Sequence, residues 1–584
     1  MKTWLQEKIG NPELFTGRKK ELNYFLQWIG RIKREISPSM AILSRRKTGK
    51  TALLQRLFNV IFEKNDGVIP FYFEIRETDR WIGDFAENFF LSFLYQYIAF
   101  KTRNPEYLSP MRSGTLEQAY EISVKQGFDF LKDPIRSMQI RSEKEQGDLM
   151  WDIARELPRG IAEHTNEKVV QFIDEFQFLN RFIFRDKSCR DRIDNLAGSY
   201  LHTCEYKNAP ILAAGSWVGW LTRDLLRLLP GRFLFHYFEG LPEEEAVEMI
   251  LKYSHTENLP VTEEIVPLMA ELTEGNPFYI SSLFRSKYGG KDFTAQKGLL
   301  ETLEFETLHR EGSIKGTWME YVSYALKETN DLHAKKIVLY LSKHREREVT
   351  RDEIRKNLHP AMTDAELEKK LKILVLADII EQGSSNFDYR GVPDNIFDKV
   401  FRGVYQKEIE TFDSGEITAE YKALSEKLLK KIRQLRGEYG RYKGAFAEFV
   451  IIERLRHEVC RNNDLLKSGV QNLPDDFAFT EYGRIWGYHS PPLHEPEFQI
   501  DIFAKADEDK YSLIWEVKNR KAKFTVKEAE EFVKKADELK KLENTGKSVL
   551  IVFSAHGFLK NTLVYLKKQG IAWTEDKRWL ERNK

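Results

Sequence analysis

The segment that most constrains the fold is Ser44-Arg-Arg-Lys-Thr-Gly-Lys-Thr51, which follows an apolar run, Met40–Leu43, and precedes a helical run, Ala52–Phe62. This order predicts a strand, a loop and a helix. A loop that ends in Gly-Lys-Thr at a helix N-terminus is typical of a phosphate-binding loop, because backbone N–H groups converge there on phosphate oxygens. The alternative is a basic loop that contains these three residues by chance.

Each residue type in this loop has an expected partner. Lys50 is expected to contact the β- and γ-phosphates of ATP, and the hydroxyl of Thr51 is expected to bind Mg²⁺. Gly49 completes the second half of the pattern GxxxxGK[ST]. Ser44 stands where that pattern has its first glycine, so the loop departs from the usual sequence.

A second motif, Val169–Glu175, is an apolar run that ends in two carboxylates. Asp174 is the expected Mg²⁺ ligand, and Glu175 is expected to orient or deprotonate the attacking water. Adjacent acids after a strand are otherwise typical of a solvated turn. Further apolar runs, Phe71–Ile75 and Ile211–Ala214, alternate with helical stretches, which predicts an α/β fold with a mainly parallel sheet.

These motifs resemble the archaeal-type ATPases, which are relatives of AAA+ proteins and of the signal-transduction ATPases (STAND) with many domains. The segments that carry the resemblance are Phe15–Leu22, the loop at 44–51, the strand ending at Asp174, Ala213–Ser216, Gly231-Arg232 and Glu274–Pro277. The resemblance covers about residues 1–400.

The resemblance implies further site residues for ATP. It places Gly17 and Arg18 near the adenine, Ser216 at a polar sensor position, Arg232 at the γ-phosphate and Pro277 near the base. A surface salt bridge is the alternative for Arg232. A plain helix start is the alternative for Pro277.

The order of predicted elements after residue 330 is three helices followed by a hairpin, which is typical of a winged helix-turn-helix. The sequence therefore predicts a multidomain α/β protein. Its predicted domains are a P-loop ATPase domain at 1–230, a helical lid at 231–325, a winged helix-turn-helix at 326–405, a helical linker at 406–439 and a C-terminal α/β domain at 440–584.

The C-terminal domain carries a second group of candidate residues. Asp501 lies in one apolar strand, and Glu516 and Lys518 lie in the next, Ser512–Lys518. Residues i and i+2 of a strand share a face, so Glu516 and Lys518 point the same way. Two carboxylates would bind Mg²⁺, and the lysine would steady the nucleophile or the developing charge. Charges that alternate along a strand are more often a solvated face.

This group resembles the PD-(D/E)xK nucleases, which have the restriction-endonuclease fold. Glu448, on a helix upstream, corresponds to a glutamate that many members carry, and a helix at 525–543 and a strand at 549–553 follow in the expected order. The resemblance implies a restriction-endonuclease-like fold and a metal site formed by Glu448, Asp501 and Glu516.

Composition limits the remaining choices. The net charge is +1, from 91 basic and 90 acidic side chains, and decides nothing about nucleic acid. Three cysteines without metal-binding spacing favour a reducing compartment. The chain shows neither a signal peptide nor an apolar run of about 18 residues. We therefore expect a cytoplasmic protein with no membrane partner.

Two functions fit these features. The first is an ATP-regulated, Mg²⁺-dependent DNA nuclease, whose winged helix and C-terminal domain hold duplex DNA. This combination of domains resembles proteins of defence systems or mobile elements. The alternative is a nucleotide-dependent switch that binds DNA or a partner without cutting. A helicase-like motor is disfavoured, because only one P-loop is found. Related ATPases often complete their sites between subunits, which makes a homo-oligomer a further expectation.

Overall fold

The computed structural model describes residues 4–108, 114–216, 218–327, 332–358, 363–410, 415–459, 462–491 and 494–581. The chain divides into two compact units, Met1–Leu428 and Leu429–Lys584. Both combine helices with a β-sheet, so the chain is a multidomain α/β protein. No helix within the described ranges is long and apolar enough to cross a membrane.

The first unit is built around a parallel sheet of five strands. The strands described in this unit are β1 (Met40–Leu43), β2 (Val68–Glu74), β3 (Arg80–Trp81), β4 (Lys168–Asp174), β5 (Ile183–Phe184), β6 (Ile211–Gly215), β7 (Leu234–Tyr237), β8 (Val349–Thr350), β9 (Ile380–Gln382) and β10 (Asp388–Gly391). The parallel sheet has the order β2-β4-β6-β1-β7. Its central strands are buried on both faces, which explains their continuous apolar sequences.

Helices cover this sheet and continue beyond it. They are α1 (Lys19–Ile32), α2 (Lys50–Lys64), α3 (Ile82–Thr102), α4 (Leu116–Lys125), α5 (Lys132–Glu143), α6 (Gly147–Thr165), α7 (Val218–Leu228), α8 (Glu243–Thr256), α9 (Ile265–Leu272), α10 (Pro277–Phe284), α11 (Gln296–Leu308), α12 (Ser313–Lys327), α13 (Leu332–Lys343), α14 (Arg351–Leu358), α15 (Asp364–Leu376) and α16 (Asn395–Ile409). Helices α4, α5 and α6 lie between α3 and β4 along the chain. Helix α3 is rich in aromatic residues and is buried over most of its length.

The three helices and the hairpin expected after residue 330 are present as α13, α14, α15 and the β9–β10 pair, with β8 added in a sheet of order β8-β10-β9. Thr363 begins α15 with a capping box to Glu366. Helix α15 packs against α7. A Cβ atom at Gly219 would lie 2.6 Å from the backbone of Leu376, so the approach of these two helices requires glycine.

The second unit contains a mixed sheet with the order β11-β12-β13-β14-β15. Its elements follow α17 (Gly415–His457), which begins before the division at 428, and are α18 (Asn463–Ser468), β11 (Arg484–His489), β12 (Gln499–Lys505), β13 (Ser512–Lys518), α19 (Val526–Glu543), β14 (Ser548–Ser554), α20 (Lys560–Lys568) and β15 (Ala572–Thr574). β12 and β13 are antiparallel, whereas β14 runs parallel to both its neighbours. Thr525 and Glu528 form a capping box at the start of α19.

Helix α17 is longer than the sequence predicts. The predicted linker ended at 439 and a new domain began at 440, but the helix runs without interruption through that point. Its last turns carry Ala447, Ile451 and Leu455, which pack in one core with Ile502 and Trp515 of the sheet.

Candidate functional site

The loop between β1 and α2 leaves open space at the start of the helix. Gly49 has φ +94°, a left-handed conformation that other residues rarely adopt, and it forms the N-cap of α2. A Cβ atom built there meets no described atom within 4 Å. Free N–H groups at a helix N-terminus attract anions, so this space is suited to a phosphate group.

Lys50 is buried beneath this loop, with 4% of its surface exposed. Its Nζ donates hydrogen bonds to the carbonyl oxygens of Ser44, at 2.6 Å, and of Arg45, at 2.7 Å. Burial lowers the pKa of Lys50 to about 8, against the opposing attraction of Glu175 and Asp174. The ammonium group is therefore held by carbonyl groups that phosphate oxygens can replace.

Ser44, which departs from the expected glycine, closes the loop with its side chain. Its hydroxyl forms a hydrogen bond with the hydroxyl of Thr48 and accepts a longer one, 3.2 Å, from Nζ of Lys50. The backbone at Ser44 needs no left-handed conformation, since it is absent from the described residues with positive φ. Serine is therefore compatible with this loop.

Thr51 and Asp174 meet at the carboxyl edge of the sheet. Oγ1 of Thr51 donates a hydrogen bond of 2.7 Å to Oδ2 of Asp174, and the hydroxyl of Tyr72 donates one of 3.2 Å to the same oxygen. Burial, and then the neighbouring charge of Glu175, raise the pKa of Asp174 to about 7. Burial and the charge of Glu175 thus disfavour the ionised form of Asp174, and a bound cation would offset both effects.

Glu175 is oriented by two side chains. It has a left-handed φ of 56°, and its Oε2 accepts hydrogen bonds from Oγ of Ser216, at 2.7 Å, and from Nε2 of Gln177, at 2.6 Å. The sequence predicts the positions of Glu175 and Ser216 but does not identify Gln177 or Tyr72. In the sequence, Tyr72 is one of several aromatic residues in an apolar run, two residues before Glu74. Nothing there marks its hydroxyl as a partner of Asp174.

The predicted adenine residues lie beside the same loop. Arg18 is 3% exposed, and its Nη2 donates hydrogen bonds to the carbonyl oxygens of Thr48, at 3.1 Å, and Glu239, at 2.6 Å. Gly17 has φ +73°, and a Cβ atom there would lie 2.6 Å from Oε2 of Glu245. The pair therefore joins the N-terminal segment to the loop and to α8.

A cleft of about 540 Å³ lies next to the loop. Its walls include Ser44–Arg46, Thr48, Phe238–Gly240, Asn276 and Asp394. Pro277 is the first residue of α10, whose N-cap Asn276 accepts hydrogen bonds from the next two backbone N–H groups. Its position is that of a helix start beside the cleft.

Arg232 lies at the opposite edge of the sheet. Its Nε pairs with Glu205 at 2.6 Å, and it precedes β7, whose first residue Leu234 is level with Met40 at the start of β1. The phosphate-binding loop follows the other end of β1. The structure therefore does not bring Arg232 to the loop of its own chain, and the salt-bridge alternative describes its contacts.

The β9–β10 hairpin contacts the loop, which the sequence did not predict. Arg45 forms an ion pair with Glu381, which also pairs with Arg390 at 2.8 Å. Next to the hairpin, Oδ1 of Asp378 accepts a hydrogen bond of 3.1 Å from the backbone N–H of Gly219. The loop between β1 and α2 and the hairpin are thus connected within the first unit.

The second unit brings Asp501, Glu516 and Lys518 together, as the strand pattern predicts. Nζ of Lys518 donates hydrogen bonds to Oε1 of Glu516, at 2.5 Å, and to Oδ2 of Asp501, at 3.4 Å. Oδ2 of Asp501 also accepts one of 2.7 Å from the backbone N–H of Val517. Burial alone would lower the pKa of Lys518, but Glu516 and Asp501 raise it above its usual value.

Glu448 lies on α17 near these carboxylates. Burial, and then the charge of Asp501, raise its pKa to about 7. Burial and Asp501 also raise the pKa of Glu516, whose Oε2 is buried and has no hydrogen-bond partner among the described residues. No group of three or more His, Cys, Asp or Glu in the described ranges is arranged to hold a metal ion as it stands. The unpartnered oxygen is nevertheless a vacant acceptor at the predicted position.

No family model and no curated protein matches the chain. Among similar solved structures, a Walker-type ATPase of Pyrococcus abyssi has 16% identity and a TM-score of 0.42, with 66% of this chain and 96% of that chain covered. The ORC2 protein of Aeropyrum pernix, in ADPNP–ADP complexes, has 12% identity and a TM-score of 0.38, with 68% and 97% covered.

The RuvB Holliday junction branch migration motor of Thermotoga maritima has 11% identity and a TM-score of 0.30, with 68% of this chain and 96% of that chain covered. The solved structures similar to this chain thus include a Walker-type ATPase and a Holliday junction branch migration motor. At these identities and TM-scores, the similarity assigns neither a family nor an activity to the chain.

Proposed function

We propose that the chain binds and hydrolyses ATP, with Mg²⁺, at the loop between β1 and α2. The observation that carries this proposal is the hydrogen bond between Thr51 and Asp174, with Glu175 beside it at the same edge of the sheet. Ligands of α/β sheets bind outside the carboxyl ends of the strands, where these residues lie. Thr51 and Asp174 would hold Mg²⁺, which neutralises charge on the phosphate oxygens.

Lys50 changes partners in this proposal. In the structure its ammonium group satisfies the carbonyl oxygens of Ser44 and Arg45. Phosphate oxygens in the open space above Gly49 would replace those acceptors and keep the group protonated, since a nearby anion raises the pKa of an amine. The guanidinium of Arg18 holds the loop from the other side through Thr48.

Glu175 is the residue assigned to the attacking water. Ser216 and Gln177 donate hydrogen bonds to one of its oxygens, Oε2, and so fix the direction in which the other oxygen points. An oriented carboxylate can position a water molecule in line with the γ-phosphate and accept its proton.

Binding of a fluorescent ATP analogue with Mg²⁺ tests the nucleotide site. Lys50→Ala should weaken binding by roughly tenfold to a hundredfold, because a charge-assisted contact to phosphate is worth about 1.5–3 kcal/mol. Lys64→Ala, at the exposed end of the same helix, should bind like the unsubstituted protein. Unchanged affinity in Lys50→Ala would remove the assignment of the loop.

The second part of the proposal is metal-dependent cleavage of DNA by the second unit, under control of the nucleotide site. It is supported by Lys518 lying between two carboxylates and by the buried, unpartnered Oε2 of Glu516. A buried acceptor without a partner is unfavourable, and a cation satisfies it. Asp501, Glu516 and Glu448 would hold Mg²⁺, which activates water and polarises the phosphodiester.

The ammonium group of Lys518 has a separate task in this proposal. Its contacts with Asp501 and Glu516 keep it protonated and pointed at the space between them. From there it can hold the attacking water or stabilise charge that develops on the phosphate. The hydrogen bond from Val517 to Asp501 fixes the carboxylate on the neighbouring strand.

Nuclease assays should use duplex DNA, single-stranded DNA and RNA, with Mg²⁺ or Mn²⁺ and with or without ATP. Asp501→Asn and Lys518→Ala should abolish cutting, and EDTA should do the same. Lys568→Ala, on the exposed end of α20, is the matched control and should cut normally. If the protein cuts no substrate under any combination, the nuclease assignment fails and the switch without cutting takes its place.

Duplex DNA binding is assigned to α13–α15 with the β8-β10-β9 sheet, as a winged helix-turn-helix at 326–405. The other finer domains are proposed at 1–230, 231–325, 406–439 and 440–584, with α17 continuous across the last boundary. Lys369→Glu, on the exposed side of α15, should weaken duplex binding and flatten its salt dependence, because one phosphate contact is lost. Lys297→Glu, on the exposed side of α11, is the control. Equal binding by both variants would contradict the assignment.

A further inference from the structure

The middle of α17 has no buried side. The helix spans 43 residues, and its first turns bury Ile417 and Tyr421 while its last turns bury Ile451 and Leu455. Between 430 and 446, no residue is buried. Nδ2 of Asn519 donates a hydrogen bond of 3.1 Å to the carbonyl oxygen of Lys443, but no side chain of this stretch is buried in a core. A helix of this length with an exposed periodic stripe is typical of a coiled coil.

Apolar residues follow one stripe along this exposed part at alternating steps of three and four. We define the α17 stripe as Ile432, Leu435, Tyr439, Tyr442, Phe446 and Phe449. The last five are 53%, 70%, 77%, 59% and 47% exposed, respectively. This spacing matches the a and d positions of a coiled-coil heptad, with a at 432, 439 and 446.

The face of α17 opposite the stripe contains three glycines, which disfavour this part of the helix. Gly437, Gly440 and Gly444 lie at outward heptad positions within the exposed stretch. Each glycine disfavours the helix by about 1 kcal/mol relative to alanine. Isolated helices are marginal in water and gain their stability from packing of an apolar side. The exposed stretch therefore needs a partner that covers the stripe.

We propose that the α17 stripe packs against the same stripe of a second copy of this chain. Two identical stripes related by a two-fold axis are self-complementary, so one surface serves both partners. At the observed exposures, side chains of about 150–250 Å² would bury roughly 600 Å² per chain, near the lower limit for a specific dimer. The contact depends on neither proposed activity.

Sedimentation velocity of the full-length protein, over a range of micromolar concentrations, tests this proposal. The unsubstituted protein should be a dimer, and Tyr442→Glu with Phe446→Glu should be a monomer with reduced helix content by circular dichroism. Val564→Glu adds a charge at a residue that is 70% exposed on α20 and should remain a dimer. Lys50→Ala should also remain a dimer, which separates this contact from assembly through nucleotide.

A second pair of substitutions should strengthen the dimer. Tyr439→Ile with Tyr442→Leu places a β-branched residue at a and leucine at d, the combination that two-stranded coiled coils favour. The dimer dissociation constant should fall by at least about tenfold, equivalent to about 1.4 kcal/mol. If the α17 stripe is exposed to solvent and makes no dimer contact, these two substitutions should leave the dissociation constant unchanged.

Several results would overturn the proposal: a monomeric unsubstituted protein, a Tyr442→Glu with Phe446→Glu variant that stays dimeric, or a monomeric Lys50→Ala variant. If the unsubstituted protein is a monomer and the same double substitution weakens binding of a single-stranded oligonucleotide, the stripe is a nucleic-acid surface instead. Aromatic residues that stack on bases would then account for its exposure.

Discussion

The hydroxyl of Thr51 donates a hydrogen bond of 2.7 Å to the carboxylate of Asp174, although 123 residues separate them in the chain. The first residue lies on α2 just after the loop, and the second ends β4. Because β1 and β4 belong to the same parallel sheet, the segments after these two strands lie at the same edge. The two proposed Mg²⁺ ligands are thus in direct contact with each other.

Thr51→Val should lower the apparent affinity for Mg²⁺ in the ATPase reaction by roughly tenfold to a hundredfold, because it removes one ligand and the hydrogen bond to Asp174. Thr51→Ser keeps the hydroxyl and should retain most of the activity. Phosphate release measured against Mg²⁺ concentration separates these outcomes. Equal Mg²⁺ dependence in both variants would show that the hydroxyl is not a ligand.

Ser44→Ala should destabilise the loop by about 1 kcal/mol, because it removes the hydrogen bond to the Thr48 hydroxyl. Its effect on nucleotide affinity should stay below about tenfold, since Lys50 keeps both carbonyl acceptors. A cycle with Thr48→Val, followed by urea unfolding and calorimetric nucleotide titration, measures the pair. Strict additivity of the two substitutions would mean that the two hydroxyl groups are not coupled.

Glu274→Gln should stabilise the protein at alkaline pH. Burial, and then the charge of Asp394, raise the pKa of Glu274 from 4.5 to about 7. Because the pKa of Glu274 is higher in the folded chain, the protonated carboxyl group stabilises the fold below about pH 4.5. This stabilisation is lost as the pH rises through about 7. Glutamine stays neutral and can still accept the hydrogen bonds from Asn395.

The free energy of unfolding of Glu274→Gln should therefore exceed that of the unsubstituted protein by an amount that grows between about pH 4.5 and 7. Above pH 7 the difference should reach about 1–3 kcal/mol. Denaturant unfolding at several pH values measures it. Glu271→Gln, an exposed residue one turn earlier, is the control and should show no such trend. A difference that does not change with pH would contradict this origin.

Gly219→Ala should separate α7 from α15, because the added Cβ would lie 2.6 Å from the backbone of Leu376. Overpacking of this kind is expected to destabilise by about 1–3 kcal/mol. Limited proteolysis should then cut more rapidly in the α13–α15 region. Gly316→Ala, in α12, meets no described atom within 4 Å and should be neutral or stabilising. Similar melting temperatures for the two variants would rule out the close approach.

Much of the first site could be predicted, because short-range patterns determine which residues come after a strand. The apolar runs place Asp174 at the end of β4 and Thr51 in the helix that follows β1, whereas Ser216, after β6, was indicated by the family resemblance. Their chemical roles remain predictions. Tyr72 could not be predicted, since its contact with Asp174 depends on the register of β2 against β4.

The position of Arg232 could not be predicted from local sequence patterns. It lies at the end of the sheet away from the loop because β7 pairs in parallel with β1, a contact between residues about 190 positions apart in sequence. The hairpin contact with Arg45 is another long-range relationship without a local signal. In the second unit, the shared face of Glu516 and Lys518 was predictable from strand geometry, whereas the continuity of α17 through its glycines was not.

The ion pair between Arg45 and Glu381 has a thermodynamic consequence for the two ligands that we propose for the first unit. If a bound triphosphate draws Arg45 away from Glu381, the ion pair between the loop and the hairpin is lost. The free energy of that ion pair then becomes part of the free energy of nucleotide binding. Duplex DNA that binds the released hairpin must then tighten nucleotide binding by the same factor that nucleotide tightens DNA binding. One surface contact would make each ligand a reporter of the other, and measuring either affinity with the other ligand present would give the coupling.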